Sequence, residues 1–219
     1  MGLQARAAVA AVGPERWREV TAVLAAAFHD DPVFRWLIPD DARRRPALER
    51  FFAIEARDVA LAHGRSLAGS DERDGLVGAA LVLPPGRWRM PLRVQAAHAP
   101  AWVRIFGRRL PHALGLLTRL EQRHPREPHA YLAYVGVVAA AQGRGVGTAL
   151  LAPLLDRCDR ERLPAYLEAS NPRSASLYER LGFETTATIR PLGAPPIRLM
   201  SRTPRRSPDE AMERALASG

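Results

Sequence analysis

Lysine is absent from the 219 residues, and all 32 basic side chains are arginine. The formal charge of +9 and the pI of about 11.1 would mark a nucleic-acid binder if the arginines formed a face. They do not: local groups occur only at Arg43 to Arg45, Arg108 to Arg109 and Arg205 to Arg206, with no aromatic platform beside them. With the abundance of Ala, Pro and Gly, the bias reads as GC-rich coding, and no nucleic-acid partner is expected. A general attraction for anionic cofactors is the consequence that remains.

Cysteine is nearly absent. Cys158 stands alone, so no intrachain disulfide can form, and its place in the helical run LLAPLLDRCDRERL reads as a buried structural thiol. No run of about 18 apolar residues occurs, and the N-terminus lacks a signal-peptide core. No membrane association is expected, and the reading is a cytoplasmic protein. The six histidines never fall in a ligand spacing such as H-x-x-x-H, so no metal is expected.

The chain turns on Tyr131 to Leu151, YLAYVGVVAAAQGRGVGTALL. Val135, Val137 and Val138 with flanking tyrosines read as a buried strand, while Ala149, Leu150, Leu151, Leu154 and Leu155 recur at helical spacing. Between them lies Gln142-Gly143-Arg144-Gly145-Val146-Gly147-Thr148. Three glycines at alternate positions let an anionic group approach the backbone, and the helix N-terminus behind them favours phosphate. A Gly-rich turn used only for tight packing is the alternative. Thr148 stands where a dinucleotide fingerprint needs its third glycine, and no Gly-Lys-Ser/Thr follows. A different phosphate-bearing cofactor is therefore indicated.

Along the chain, residues 4 to 12 read as a first strand and Glu15 to His29 as an amphipathic helix. The segment from Phe28 to Pro39 mixes Asp30, Asp31, Phe34 and Trp36. It reads either as a pocket wall or as a helix-helix turn whose aspartates cap the next helix. A second helix covers 41 to 63, and strands cover 65 to 68 and 75 to 83. Residues 91 to 123 form a helical insertion that breaks at Gly107 and Pro111, followed by the fourth strand. A helix to 162, a strand at 165 to 169, a helix from 173 to 181 and strands at 183 to 190 and 197 to 202 complete the order. One mixed α/β (α+β) domain over 1 to 203 is expected, with 204 to 219 as a mobile tail.

Two motifs, Gln-x-x-Gly-x-Gly at Gln142, Gly145 and Gly147, and ASNPRSASLYERLGFE from Ala169 to Glu184, resemble the GNAT superfamily of acyl-CoA-dependent N-acyltransferases. From Arg123 to Phe183 the likeness is to its puromycin N-acetyltransferase group; the first 120 residues match only in layout, the AAAF-x-D-x-P element at 25 to 32 being the best local echo. The resemblance implies a mostly antiparallel central sheet splayed between its fourth and fifth strands and flanked by helices. It implies acetyl-CoA as co-substrate and acetyl transfer to a primary amine of a small molecule, an antibiotic or metabolite, by direct attack in a ternary complex. A protein N-acetyltransferase and a non-catalytic acyl-CoA-binding module are the alternatives, and the state is a monomer or homodimer.

By that resemblance, Val135, Gly136 and Val137 edge the cofactor cleft, with the Val137 N–H facing the thioester oxygen. Gly136 permits a bulge that splays the strand. Gln142, Gly143, Arg144, Gly145, Val146, Gly147 and Thr148 hold the pyrophosphate, and Asn171 bonds the pantetheine arm, caps its helix, or does both. Tyr178 is the general acid, with a core tyrosine as the alternative. Glu168 is the candidate base, with a structural hydrogen bond as the alternative, and His29, Asp30, Asp31, Glu127 and His129 are the other candidates. Asp30, Asp31, Phe34 and Trp36 are the candidate acceptor contacts.

Overall fold

The computed structural model describes residues 7–71, 75–191 and 193–205. Seven strands form one sheet in the order β1-β2-β3-β4-β5-β7-β6: β1 (Ala8–Ala11), β2 (Leu67–Asp71), β3 (Gly75–Leu83), β4 (Ala130–Val137), β5 (Ala165–Ala169), β6 (Glu184–Ile189) and β7 (Ile197–Arg202). Every neighbouring pair is antiparallel except β4 and β5. The expected mixed α/β class with a mostly antiparallel sheet is what the structure has.

Burial along β3 explains the layering. Its sequence GLVGAALVL has no charged residue and is buried from Leu76 to Leu83, which requires cover on both faces. On one face lies α1 (Trp17–Ala27), with Val20, Val23 and Leu24 buried at helical spacing. On the other lies α7 (Val146–Arg160), which buries Leu150, Leu151, Leu154 and Leu155. Two glycines let these helices approach closely. A Cβ on Gly78 would meet Leu150 Cδ1 at 2.8 Å, and one on Gly136 would meet Ala27 Cβ at 2.8 Å and Leu24 Cδ2 at 3.0 Å.

The sheet opens where it was expected to open. β4 and β5 pair only at Ala130↔Ala165 and Tyr131↔Tyr166, so beyond Tyr131 the two strands part. The bulge in β4 is not at Gly136, which pairs regularly with Ala79. The register shifts between Leu81↔Tyr134 and Val82↔Leu132, leaving Ala133 as the extra residue of β4. Gly136 serves the packing of α1 instead.

The second helical stretch is not continuous. It comprises α3 (Asp41–Ile54), a π-helical turn at Glu55–Ala60 and a short 3-10 turn ending at Gly64, whose φ is 63°. Ahead of it, α2 (Pro32–Leu37) is a six-residue helix capped by Asp31. The insertion is three helices, α4 (Leu92–Ala97), α5 (Ala99–Phe106) and α6 (Leu110–Arg123). It breaks at Gly107, as its pattern predicts, but Pro111 opens α6 rather than interrupting it. After β5, Asn171 caps α8 (Pro172–Arg180) by accepting from the Ser174 N–H at 2.9 Å. Residues 4–6 of the expected first strand and 206–219 of the expected tail lie outside the described residues.

Candidate active site

A cavity of about 1370 Å³ runs through the gap between β4 and β5 and under α4 to α6. Its floor on one side is the open edge of β4. The Val138 N–H donates to the Val77 carbonyl at 3.0 Å, and N–H directions alternate along an antiparallel strand. The N–H and C=O groups of Val135 and Val137 therefore point away from β3 into the gap. The Val137 carbonyl accepts from Gln142 Nε2 at 2.9 Å, while its N–H faces the cavity.

Gln142 is a clamp. Its other amide atom, Oε1, accepts from Arg173 Nη1 at 2.9 Å, so the residue ties the end of β4 to the start of α8. Past it, Gly143 and Gly145 have φ of 77° and 81°, a conformation that favours glycine. A Cβ at either would meet nothing within 4 Å, so the space in front of this turn is open. Gly145 is the N-cap of α7, and the N–H groups of the helix's first turn have no helical partner. The Val146 side chain is buried against β2 and β3, whereas Thr148 is exposed at the cavity. Gly147 has a second duty, since a Cβ there would meet Leu177 Cδ2 of α8 at 3.0 Å.

Arg144 is turned elsewhere. Its Nη2 lies 3.2 Å from Asp71 Oδ2, and it does not line the cavity, so an acid on β2 draws off the charge assigned to the phosphates. Trp36 is a second departure, for its ring packs edge-on to His112 at 5.7 Å, outside the lining. Asp30, Asp31 and Phe34 do line the cavity. Asp31 joins both readings of its segment: it caps α2 through the Val33 and Phe34 N–H groups and accepts from the Ser170 hydroxyl across the cleft. Burial pushes its carboxyl up, opposed by those hydrogen bonds.

Tyr178 is buried on α8 and reaches the cavity. Burial, then the nearby Asp31 charge, pushes its phenol well above the ordinary tyrosine value. Across the gap, Glu168 accepts from the Tyr131 hydroxyl at 2.7 Å and has its other oxygen 3.6 Å from His124 Nδ1. His124 is buried and stacked on Trp88 with centroids 3.9 Å apart. The hydrogen bonds fix its tautomer. His129 Nδ1 must donate to the Glu127 carbonyl at 2.7 Å, so neutral His129 accepts at Nε2 from His124 Nε2–H at 2.9 Å. Burial lowers the His129 pKa, which favours that neutral form. His124 Nδ1 is left to face Glu168. Of the other candidates for base, Glu127 thus supplies only its carbonyl, and His29 pairs with exposed Asp30 at 3.4 Å.

Glu55 is the residue that sequence reading passed over. It opens the π-helical turn and lines the cavity, and its carboxylate makes no hydrogen bond or ion pair among the described residues. The side chain is half-buried, and its desolvation alone pushes its carboxyl up to about 8. A signal existed: Glu55 sits four and three residues after Phe51 and Phe52 and four before Val59, the apolar face of its helical pattern. Tyr134 stands near both Glu55 and Glu168, whose charges add to the effect of burial in raising its phenol. Among the described residues no group of three or more His, Cys, Asp or Glu side chains is placed to hold a metal ion, and no helix is long and apolar enough to cross a membrane.

Comparisons with known proteins agree with this architecture. Over 127 residues, 56% of this chain, it is 32% identical to an uncharacterised N-acetyltransferase of Schizosaccharomyces pombe, and the match spans about half, 49%, of that protein's length. Among solved structures it is similar to a histone acetyltransferase HPA2-related acetyltransferase of Corynebacterium glutamicum, at 27% identity and a TM-score of 0.71, covering 93% of this chain and 99% of that one. The fold is shared with arylalkylamine N-acetyltransferase 2 of Aedes aegypti, at 13% identity and a TM-score of 0.60 over 90% and 99% of the two chains. A model of the acetyltransferase (GNAT) family matches residues 24–183, most of the sheet and all of the cleft edge described above, and the chain belongs to that family.

Proposed function

We propose that the protein transfers an acetyl group from acetyl-CoA to a primary amine of a small molecule by direct attack within a ternary complex, in a cytoplasmic setting. The observation that carries this reading is one cavity bordered by four things at once: the outward N–H of Val137, the glycine turn at the α7 N-terminus, Tyr178 and Glu168. The residues present fit acetyl-CoA. Positive-φ glycines with open space in front of them form a cradle for phosphate oxygens, and the unpaired edge of β4 offers Val135 and Val137 to an amide-bearing arm.

Acetyl-CoA supplies an acyl group already activated as a thioester. The protein's tasks are then to orient, polarise and manage protons. The Val137 N–H is the donor for the oxyanion. Tyr178 holds a proton at Oη for the departing sulfur, and its raised pKa keeps that proton in place at neutral pH. Glu168, fixed by Tyr131 and set beside His124, receives the proton of the incoming ammonium. Asn171 caps α8 and keeps its side chain beside Asp31, at the position proposed for the arm of the cofactor. The Gln142 side chain is engaged in holding Val137 and Arg173, so its part in phosphate binding is through the main chain.

The test is release of free CoA from acetyl-CoA with a panel of amines, alongside direct acetyl-CoA binding. The panel includes puromycin, because residues 123 to 183 resemble that group of enzymes. It also includes a histone-tail peptide, because the Corynebacterium relative is described as a histone acetyltransferase. Turnover on a small amine is expected. Acetyl-CoA binding with no turnover on any member would overturn the reading and leave a non-catalytic binding module.

A further inference from the structure

All four of the large apolar side chains that stand out as exposed among the described residues, Leu92, Val103, Leu114 and Leu117, belong to α4, α5 and α6. All four also line the cavity. Exposed apolar surface is thus concentrated on one wall of one pocket, which is the signature of a surface that meets an apolar ligand. Behind that wall, Phe51 contacts Trp102 and Phe106 edge-on at 6.0 and 6.1 Å and Tyr134 at 5.7 Å.

Within this apolar surround sits Glu55, a carboxylate with cavity access and no partner among the described residues. Burying an ionised carboxylate without a partner is costly, and the group answers by holding its proton more tightly, up to about 8. An arriving cation removes that cost. The charged lining is mostly acidic: Asp30, Asp31, Glu55, Glu121 and Glu168 outnumber Arg173 and Arg180, and Arg173 is held by Gln142 at the glycine turn. An excess of acidic lining suits a cation.

From the unpartnered Glu55 carboxylate beneath the apolar wall of α4 to α6, we propose that the acceptor is an amphipathic amine, with one ammonium received at Glu55 and a bulky apolar body lying against that wall. This rests on the acetyl-transfer reading only for the fate of the amine, since binding itself is independent of turnover. Tyr134 stands near both Glu55 and Glu168, so Glu55 is taken as the acceptor-binding residue and Glu168 keeps the role of base.

The experiment measures binding of propylamine, hexylamine, 1,6-diaminohexane, ethanolamine and 1-hexanol to the full chain, with free CoA release followed in parallel. Affinity is expected to rise about three- to fourfold per added methylene between propylamine and hexylamine, the worth of one buried methylene. Diaminohexane should bind more weakly than hexylamine, because its second ammonium meets the apolar wall. Glu55→Gln should weaken hexylamine at least about tenfold, as loss of a charge-assisted contact does, and leave 1-hexanol unchanged. Ethanolamine matching hexylamine, or equal losses for amine and alcohol in Glu55→Gln, overturns the proposal. Should Glu55→Gln fail to fold, Val103→Asp at an exposed position of α5 must abolish the methylene dependence, and an unaltered dependence overturns it equally. Amines that bind as expected yet release no CoA would sink the transferase reading alone. Turnover of hydrophilic amines with no preference would sink only this inference.

Discussion

The Ser170 hydroxyl donates to the Asp31 carboxylate, joining the turn before α2 to the segment between β5 and α8 across the cleft. The same carboxylate caps α2, accepting from Val33 N–H at 2.9 Å and Phe34 N–H at 3.2 Å. Two substitutions separate these duties. Asp31→Ala removes the cap and should destabilise the fold by about 1–2 kcal/mol, the usual worth of an N-cap, read by urea unfolding. Ser170→Ala keeps the cap and frees only the cross-cleft tie. It should leave the urea midpoint close to the parent's and raise the amine KM, and equal midpoint losses in both variants would contradict the division.

Tyr178→Phe removes one hydroxyl from a buried ring that packs on Phe183 with centroids 5.9 Å apart. If the phenol serves the departing sulfur, kcat should fall by roughly 10²- to 10⁴-fold while the acetyl-CoA Kd stays near the parent value. The pH profile adds a second check. Burial and the Asp31 charge hold the phenol above the ordinary value of 10, so it keeps its proton through the working range. Any fall in kcat below pH 10 must therefore come from another group, and such a limb vanishing in Tyr178→Phe would contradict the assignment.

The parts legible in sequence were those set by local chemistry. Alternating and continuous apolar runs located β3, β4 and β5 to within a few residues, and Asn171 with Pro172 announced the start of α8. Long-range packing was not legible. Nothing near Gly136 says that α1 will press against it, so a bulge there was a reasonable expectation, yet the extra residue is Ala133. Arg144 faced the phosphates in sequence but found Asp71, 73 positions away. Trp36 went to His112 on α6 for the same reason. Glu55 lay on the apolar face of the helix read through 41 to 63, but that it would find no partner there depended on packing with distant segments.

Two glycine substitutions distinguish packing from ligand approach. Gly136→Ala places a Cβ 2.8 Å from Ala27 Cβ, and overpacking of this kind should cost about 1–3 kcal/mol of stability. Gly145→Val meets no neighbour but forces a β-branched residue to a φ of 81° at the N-cap of α7. It should raise the acetyl-CoA Kd far more than Gly136→Ala does when each is measured on folded protein. Preserved affinity in Gly145→Val would remove the phosphate cradle from the proposal.

Glu55 gives the fold a pH dependence of definite sign. Its folded pKa, about 8, lies above the ordinary 4.5 because burial disfavours the charged form. The native state then binds a proton that the unfolded chain has released, so the contribution to stability is complete below pH 4.5 and is lost as pH rises through about 8. The Tyr134 phenol stands near it, and burial is the only cause acting on its carboxyl, with no positive charge opposing it. The Tm of the parent should fall relative to that of Glu55→Gln between those two pH values, and saturating hexylamine should restore it by pairing with the ionised carboxylate. Parallel Tm curves for the two proteins would show that Glu55 titrates as an ordinary solvated carboxylate.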